Sequence, residues 1–427
     1  MPIASPGAAM AVDWEQRVNY QQLRQDRMQR IGAALEASDL GSLLLFDPNS
    51  IRYVTSTHIG DWARDKSVRF ALVPRGGQPI LWDFGSAAKN HRLYAPWLPQ
   101  ESWRAGVPPM RGSFTRETGV PDLFATRVYD ELRERGLHRD PIGVDIPDMG
   151  SFEALQRRGL RMVDAQPVVL GARKTKTPDE IALLDHAAAL VDAAYEEIYR
   201  MLRPGIRESD IVAHVMKVLF ELGSEHVEAI NAVSGERCNP HPHVFSDRLL
   251  RPGDQAFFDI IHAFMGYRTC YYRTFAVGSA TLAQIAAYRQ CREWLDNAIE
   301  LVKPGVTTDQ IAAVWPTAQE LGFANEEECF GLQFGHGIGI SGYESPMISR
   351  LHSFEHPVVI EEGMVFALET YCPASDGNGA ARIEEELVVT ADGSKIITRF
   401  PADELLVAGK FYVTGADLVP DRVVQPA

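Results

Sequence analysis

A weak internal repeat in the second half of the chain constrains the fold more than any other feature. A long helical pattern precedes LRPGIRESDI at 202–211, and a second one precedes VKPGVTTDQI at 302–311. Three residue types recur in register: Pro204, Gly205 and Ile211 in the first copy, and Pro304, Gly305 and Ile311 in the second. Each copy is predicted to continue as a helix to a Leu-Gly pair and then into strands. The repeat therefore predicts two pseudo-equivalent α+β halves around a cleft, where ligands usually bind.

The first part of the chain has a different pattern, in which helices and strands alternate from residue 17 to residue 168. RFALVPRGGQPILWDF is typical of a hairpin with its turn at 74–77, and VPDLFATRVYDELRERGL is typical of a helix before the strand PIGVDIP. This alternation predicts an α/β domain. The segment ARKTKTPDE interrupts the apolar pattern before a long helix, so we predict one domain at 1–172 and a second at 173–427.

Composition limits the classes of partner. The chain has 42 Lys and Arg against 57 Asp and Glu, a formal net charge of −15, and a hydrophobic fraction of 45% that suits globular domains. An acidic chain without a basic patch has no general electrostatic reason to bind nucleic acid. No apolar run reaches the roughly 18 residues that span a bilayer, and the N-terminus lacks a secretory pattern. We therefore expect a cytoplasmic protein that binds a small molecule, with no membrane or nucleic-acid partner.

The cysteines are spread widely along the chain. There are five, an odd number, and none belongs to a CxxC pair: Cys238, Cys270, Cys291, Cys329 and Cys372. This usage predicts reduced thiols, and it favours neither a disulfide framework nor a structural zinc knuckle.

Carboxylates lie inside apolar, strand-like segments of both halves. Asp259 lies in QAFFDIIHAF, Glu369 in GMVFALETY and Glu384 in ARIEEELVVT. An ionised carboxylate in such a strand is costly unless it is paired or bound to a metal, so their convergence would imply a cation, an arginine or a shared proton. Alternation in the last strand directs Glu384 and Glu386 to one face and Glu385 to the other. We expect Glu385 and Glu386 to lie at a sheet edge, in water.

Two histidines add to the candidate chemistry. His336 lies between glycines in GHGIG, which lets backbone and ligand approach closely, and Tyr343 and Glu344 follow just beyond it. His243 lies in a proline-rich loop ahead of the Asp259 strand. The sequence has no Walker motif and no GxSxG elbow, so nothing local favours phosphate binding or serine catalysis. The residues alone indicate a cleft enzyme that uses carboxylates and histidines.

The order of five motifs along the chain resembles that of the creatinase, prolidase and methionine aminopeptidase superfamily. The motifs are PHVFSDR, the Asp259 strand followed by YRTF, GHGIG, EEGMVFALE and RIEE. LLLFDPNSIRYVTS resembles the N-terminal domain of the prolidase and creatinase branches, and the stretch from RYVTS to ILWDF is also similar to the dimethylsulfoniopropionate lyase branch. The resemblance implies an α/β N-terminal domain and an α+β pita-bread C-terminal domain with two pseudo-symmetric halves.

The resemblance also implies a set of site residues. In the peptidase members, two Asp, one His and two Glu hold two divalent metals, and four of these ligands are retained here: Asp259, His336, Glu369 and Glu384. The position of the second Asp holds Cys270, and that of a second histidine holds Tyr343, whereas Glu344 is retained. His243 matches the histidine that contacts the substrate or its leaving group.

Two interpretations of the altered site stay open. In the first, Cys270 joins His336, Glu369 and Glu384 around one divalent metal, and the thiolate favours zinc or iron over manganese. In the second, the site holds no metal, His243 is the general base or acid, and the two glutamates bind a cationic group of the substrate. A dinuclear aminopeptidase is the interpretation that we favour least.

The first functional hypothesis is a hydrolase that cleaves a C–N bond of a small polar substrate, with His243 and Glu344 handling protons. The resemblance to creatinase implies a homodimer in which the partner's N-terminal domain completes each pocket, and Trp62 and Arg64 are the candidates for that contact. Arg382 is a further candidate for binding the substrate, or for orienting a metal-site glutamate.

Two alternatives stand beside hydrolysis. One is a lyase of the dimethylsulfoniopropionate-cleaving type, with Tyr343 or Glu344 as the base. The base Asp of that branch is absent from SGYESP, and Ile261 holds the position of a further metal-site Asp. The other alternative is a non-catalytic pita-bread binding protein, which the joint retention of the histidine and glutamate ligands disfavours.

Overall fold

The chain forms two compact units, Met1–Asp179 and Glu180–Ala427. The structure is a computed structural model, and it describes residues 18–60, 66–108 and 112–410. Among these described residues, no helix combines the length and the apolar character that crossing a bilayer requires.

The first unit is built on one six-stranded mixed sheet. Its strands are β1 (Ser42–Leu45), β2 (Phe70–Pro74), β3 (Ile80–Asp83), β4 (Trp103–Ala105), β5 (Ile142–Val144) and β6 (Met162–Asp164), in the spatial order β4-β3-β2-β1-β5-β6. Its helices are α1 (Tyr20–Glu36), α2 (Pro48–Thr55), α3 (Gly85–Tyr94), α4 (Val120–Glu134), α5 (Met149–Arg157) and α6 (Gln166–Arg173). The predicted hairpin is confirmed, since β2 and β3 pair antiparallel. The predicted α/β class is confirmed as well.

Local sequence explains where several of these helices begin. Asn19, Asp47 and Asp148 each precede a helix, and each accepts a hydrogen bond from a backbone N–H in the first turn. Strands β1, β2 and β3 are buried along their whole length. The rings of Phe70 and Phe124 pack edge to face with centroids 4.8 Å apart, and they belong to the buried core of this unit.

The first half of the second unit places two long helices before its strands. These are α7 (Pro178–Met201) and α8 (Glu208–Glu221), followed by β7 (His226–Ser234), β8 (Gln255–Phe264) and β9 (Tyr267–Val277). The three strands pair antiparallel, and the C-terminal β15 (Leu406–Ala408) extends the sheet in the order β15-β9-β8-β7. Ile198 and Ile211 of the helices share a buried core with Phe258 of β8.

The second half has shorter helices and a five-stranded sheet. Its helices are α9 (Leu282–Leu301), α10 (Thr308–Ala312) and α11 (Glu326–Cys329), and its strands are β10 (Phe334–Gly337), β11 (Glu344–Ile348), β12 (Val365–Pro373), β13 (Ala380–Val389) and β14 (Ser394–Ile396). Their spatial order is β11-β10-β12-β13-β14. The prediction that the second copy runs as a helix to Leu321 was wrong. The helix ends at Ala312, and Pro316, which has no backbone N–H, lies in the irregular segment that follows.

The repeat in the sequence corresponds to matching backbone hydrogen bonds in the two halves. The N–H of Gly205 donates to the carbonyl of Leu250 (2.8 Å), and that of Gly305 donates to the carbonyl of Ile360 (3.0 Å). Both glycines have positive φ, 86° and 90°, which other residues adopt only with strain. An isolated β-bridge follows in each half, between Arg207 and Leu249 and between Thr307 and Val359. The two halves therefore share one backbone design.

Strands β9 and β13 join the two halves, because they exchange hydrogen bonds although they belong to different sheets. The hydroxyl of Thr274 donates to the carbonyl of Arg382 (2.6 Å) and accepts from its backbone N–H (2.8 Å). The buried Arg273 donates to the carboxylate of Glu385 (2.8 Å) and to the backbone carbonyl of Glu384. This junction brings the charged residues of both halves together.

Candidate metal centre

Three buried side chains from three strands converge at the junction: Cys270 of β9, His336 of β10 and Glu384 of β13. Each offers one ligand atom, and the three atoms lie within 4.8 Å of one another. The relative exposures of the three residues are 4%, 0% and 0%. A thiol, an imidazole and a carboxylate are the ligand types that proteins use for zinc and related divalent metals.

The tautomer of His336 leaves one ring nitrogen directed at this group. Its Nδ1 lies 3.0 Å from the carbonyl of Gly337, and a carbonyl can only accept, so Nδ1 carries the proton. Nε2 therefore keeps its lone pair. It has no hydrogen-bond partner among the described residues and lies 4.0 Å from Oε1 of Glu384. Burial lowers the pKa of His336 to about 4, so the ring is neutral at pH 7, as a metal ligand must be.

Glu384 is a buried carboxyl that lacks donors. Neither of its side-chain oxygens has a hydrogen-bond partner among the described residues. Burial, and then the neighbouring Glu369 and Asp259, raise the pKa of Glu384 well above its usual value. A buried acceptor without a donor costs about 1–3 kcal/mol. A cation bound between Glu384 and Nε2 of His336 would satisfy both groups, so the residues present fit a divalent metal.

Cys270 is a thiol whose ionisation depends on a cation. Its Sγ donates to Oδ1 of Asp259 at 3.5 Å. Burial, followed by the charges of Asp259 and Glu384, raises the pKa of the Cys270 thiol well above its usual value. The group is therefore a neutral thiol unless a positive charge is bound nearby, and a coordinating thiol loses its proton outright.

Asp259 is equally buried, but protein donors satisfy it. The amide of Asn231 donates to Oδ2 at 2.9 Å, and the hydroxyl of Tyr272 also bonds to this carboxyl. Behind Tyr272, the backbone N–H of His243 donates to Nδ1 of His241, so Nε2–H of His241 donates to the Tyr272 hydroxyl at 2.8 Å. Burial raises the pKa of Asp259, and Arg382 together with these hydrogen bonds opposes that shift.

Glu369, a predicted ligand, lies outside the group of three and forms an ion pair with Arg382. Arg382 lies opposite Tyr371 in the register of β12 and β13, which places it one diagonal step from Glu369 on the same face. Its guanidinium is 4.2 Å from the centroid of the Tyr272 ring and donates to the carbonyl of Gly331. Arg382 is 1% exposed, so its charge acts inside the protein.

Two of the predicted catalytic residues, His243 and Tyr343, pack against different histidines. His243 is exposed in the loop after β7, and its ring centroid is 3.9 Å from that of His241. Desolvation and the charge of Arg382 lower the pKa of His243. The ring of Tyr343 is 58% exposed and packs against His336 with centroids 4.5 Å apart, and partial desolvation of its hydroxyl, followed by the neighbouring Cys270 and Glu369, raises its pKa.

Three further predicted site residues are Glu344, Trp62 and Arg64. Oε1 of Glu344 accepts the backbone N–H of Ser341 at 3.2 Å, and its carboxyl lies so close to Gly339 that an added Cβ would meet it at 2.7 Å. Trp62 and Arg64, predicted to contact a partner's pocket, lie outside the described residues.

The prediction that Glu385 and Glu386 lie in water was wrong. They are 4% and 0% exposed, because β13 is flanked by β12 and β14 and also contacts β9. Glu385 is paired with Arg273 and Arg292, each at 2.8 Å. Glu386 accepts from the hydroxyl of Thr269 at 2.9 Å, and burial raises the pKa of Glu386 to about 8.

Sequence reasoning missed the two side chains that satisfy Asp259, which are Asn231 and Tyr272. The sequence contains a signal that predicts the position of one of them, Tyr272. A two-residue turn at Met265-Gly266 fixes the register of the β8–β9 hairpin, and counting back from it pairs Tyr272 with Asp259. Asn231 also lies opposite Asp259, but a long loop separates the two strands, so no register can be counted for it.

A duplicated α+β unit, whose two halves share one backbone design and meet at strands β9 and β13, is the architecture of the pita-bread fold. Solved structures agree: the Xaa-Pro dipeptidase of Bacillus anthracis superposes with a TM-score of 0.71 at 23% identity, over 90% of this chain and 99% of that one. This neighbour confirms the predicted fold.

Sequence comparison then gives the family. A profile of metallopeptidase family M24 matches residues 182–391. The putative dipeptidase YkvY of Bacillus subtilis is 30% identical over 289 residues, 66% of this chain and 77% of the relative. The dimethylsulfoniopropionate lyase DddP of Roseovarius nubinhibens is 26% identical over 413 residues, 91% of this chain and 88% of the relative. The chain belongs to metallopeptidase family M24, and the resemblance to the creatinase and prolidase superfamily is confirmed.

Proposed function

We propose that this protein is a hydrolase that cleaves the C–N bond of a small, dipeptide-like substrate with the help of one divalent cation. Cys270, His336 and Glu384 would hold the cation. The thiolate favours zinc or iron over manganese, since manganese prefers oxygen ligands.

The observation that carries this proposal is the convergence of buried lone pairs that have no donors. Nε2 of His336 and both carboxyl oxygens of Glu384 have no partner among the described residues, and Sγ of Cys270 lies in the same group. Buried polar groups are normally satisfied, so three such atoms in one place favour a bound cation over a metal-free site. Membership of a metallopeptidase family supports the same choice.

The protein's own side chains would complete the chemistry. A divalent cation supplies Lewis acidity towards the substrate carbonyl. His243 is neutral near pH 7 because its pKa is lowered, so it can accept a proton from the attacking water and pass it to the leaving nitrogen as the C–O bond forms and the C–N bond breaks. Tyr343 stays a neutral phenol because its pKa is raised, so it would donate a hydrogen bond to the substrate rather than act as a base. Glu344 is the second candidate proton carrier.

The substrate class is inferred from the relatives. The B. subtilis relative is named a putative dipeptidase, and the B. anthracis neighbour is an Xaa-Pro dipeptidase. A small peptide with a polarisable amide suits the Lewis-acid chemistry of such a centre. We also propose that the enzyme acts as a homodimer, as the likeness to creatinase implies.

Cobalt binding tests the proposal. Purified protein freed of metal and dialysed against Co²⁺ should show a near-ultraviolet thiolate-to-cobalt band, and the loaded protein should hydrolyse members of a dipeptide panel. Cys270→Ser should lose the band. Cys291→Ser is the matched control, because Cys291 is buried against Thr370 outside the group, and it should keep the band. Absence of cobalt uptake by the folded wild type would exclude the proposal.

A second candidate, a lyase of the dimethylsulfoniopropionate type, is favoured by one observation. The match to DddP extends over 91% of this chain. An elimination needs a base, and the raised pKa of Tyr343 leaves Glu344 as the better one. Dimethyl sulfide released from dimethylsulfoniopropionate by the loaded protein, without hydrolysis of any dipeptide, would replace the hydrolase proposal with this one.

A further inference from the structure

The loop that contains His243 is exposed around this residue and locally strained. This histidine loop, residues 235–248, joins β7 to β8, and residues 242–245 in it are exposed. His243 has a φ of 54°, a left-handed conformation that residues other than glycine adopt at a cost and keep only where their surroundings enforce it. Its backbone N–H donates to Nδ1 of His241 at 3.2 Å, a contact inside the same loop. The position of the His243 ring therefore depends on what holds the loop as a whole.

A buried carboxylate outside the loop contacts both of its ends. Glu208, the first residue of α8, is 0% exposed. Its Oε1 accepts from the hydroxyl of Ser234, the last residue of β7, at 2.7 Å. Its Oε2 accepts from the backbone N–H and the hydroxyl of Ser246, each at 2.7 Å, and from the guanidinium of Arg237. Arg237 and Ser246 lie on either side of the two histidines in the chain, so one carboxylate fixes the loop before and after them.

Arg237 extends this contact to the residue next to His243. Its guanidinium donates to the hydroxyl of Ser246 and to the backbone carbonyl of Val244, each at 2.8 Å. Arg237 is also the counter-charge that Glu208 needs, because an unpaired charge inside a protein is costly. Removing the carboxylate would therefore release Arg237 and Ser246 together, and with them the segment that contains His243.

The second half of this unit shows what the same position does without a carboxylate. Thr308 is the first residue of α10, as Glu208 is of α8, and it is equally buried. The N–H of Glu208 donates to the carbonyl of Arg248 (3.1 Å), and that of Thr308 donates to the carbonyl of Val358 (3.0 Å). The hydroxyl of Thr308 accepts from the backbone N–H of Val358 at 3.0 Å. A short side chain is thus enough for the shared backbone design, and the longer reach of Glu208 is specific to the half with the histidine loop.

We propose that Glu208 is a positioning residue for His243. It holds the histidine loop so that the His243 ring stays where it can take a proton from the attacking water and pass it to the leaving nitrogen. A misplacement of about 1 Å can cost about 100-fold in rate. This inference rests on the proposed function, because it presupposes that His243 carries a proton during hydrolysis.

The kcat of the Co²⁺-loaded protein for a dipeptide that the wild type hydrolyses provides the test. In Glu208→Thr, which introduces the residue type of the second half, kcat should fall about 10- to 100-fold. The KM and the thiolate-to-cobalt band should be unchanged, because neither depends on proton transfer. The double variant Glu208→Thr/His243→Ala should match His243→Ala within about twofold, since Glu208 acts through that ring. Thr308→Val, the matched control, removes the equivalent acceptor of the second half and should leave kcat unchanged.

Hydrogen exchange of the loaded protein supplies a readout besides activity. The backbone N–H of Ser246 loses its acceptor in Glu208→Thr, so peptides that cover residues 239–247 should exchange faster than in the wild type. Thr308→Val should leave the exchange of these peptides unchanged.

The outcomes separate the two proposals. If the wild type hydrolyses a dipeptide, an unchanged kcat or unchanged loop exchange in folded Glu208→Thr would overturn the role of Glu208 and leave the proposed function intact. A double variant clearly slower than His243→Ala would do the same. No hydrolysis of any dipeptide by the loaded wild type would overturn both proposals.

A variant on the loop side decides if Glu208→Thr does not fold. Ser246→Ala removes one donor from a partly buried residue and leaves Glu208 paired with Arg237 and Ser234. Its kcat should fall by a smaller factor than in His243→Ala, again with KM unchanged, and the loss should disappear when His243→Ala is combined with it. An unchanged kcat in Ser246→Ala would then overturn the role of Glu208.

Discussion

Each half of the second unit contains a fully buried histidine on a strand with a neighbour on either side, and the two histidines differ in their hydrogen bonds. His262 of the first half uses both ring nitrogens, since Nε2 donates to the carbonyl of Ala187 (2.9 Å) and Nδ1 lies 3.0 Å from the hydroxyl of Ser224. His336 of the second half uses only Nδ1. Burial lowers the pKa of both rings to about 4. Burial and pKa are therefore alike for the two rings, and the number of ring nitrogens with a hydrogen-bond partner is what differs between them.

One buried carboxyl in each half shows the same difference in hydrogen bonding. Asp259 of the first half accepts from Asn231 and Tyr272, and Glu384 of the second half has no donor on either oxygen among the described residues. The first half therefore contributes groups that the protein has already satisfied, together with the thiol of Cys270. The second half contributes the atoms that have no hydrogen-bond partner among the described residues, which are Nε2 of His336 and both carboxyl oxygens of Glu384.

The largest expected effect concerns metal affinity. His336→Gln should weaken Co²⁺ binding by at least about 100-fold, the upper range found for residues that only support a ligand. His262→Gln should leave the affinity within about threefold, because the ring of His262 is fully used by Ser224 and Ala187. Competition with a chromophoric chelator measures both constants. Equal losses of Co²⁺ affinity in the two variants would contradict the difference between the two histidines.

The next effect is on the pH dependence of stability. His262 has a folded pKa of about 4 against 6.5 when unfolded. Between these values the unfolded chain binds a proton that the folded chain excludes, so stability falls as the pH falls through this window and is flat above it. The contribution is on the order of 3 kcal/mol.

Urea unfolding near neutral pH and at about pH 5 measures this slope. His262→Gln should have a shallower slope than the wild type. An unchanged slope in His262→Gln would show that this ring does not titrate as its burial implies.

The smallest effect tests the shared backbone of the two halves. Gly205→Ala and Gly305→Ala should each cost roughly 1–2 kcal/mol, because both positions have positive φ. An added Cβ meets nothing within 4 Å at either site, so backbone strain is the whole cause. Gly32→Ala, in the interior of α1, should instead stabilise the protein by roughly 0.5–1 kcal/mol. Denaturant midpoints give all three changes in stability. Clearly unequal losses of stability at Gly205 and Gly305 would contradict the equivalence of the two halves.

The sequence was sufficient to predict the duplicated halves and the strands that contain the charged residues, because both follow from local periodicity. It was not sufficient for the partners of those charges. Alternation assigns Glu385 and Glu386 to opposite faces, but only the tertiary contact with β9 shows that both faces are buried. The pairing of Arg382 with Glu369 likewise depends on the register of β12 and β13, which no short turn fixes in the sequence.

The hydrogen bonds between β9 and β13 also set the order in which the chain can mature. Arg273 is synthesised before three of its acceptors, which are the carbonyls of Glu384 and Phe400 and the carboxylate of Glu385, and only its contact with the carbonyl of Tyr272 is local. A guanidinium cannot be buried without them except at a cost of several kcal/mol. The buried state of Arg273 therefore depends on residues that lie at least 111 positions later in the chain.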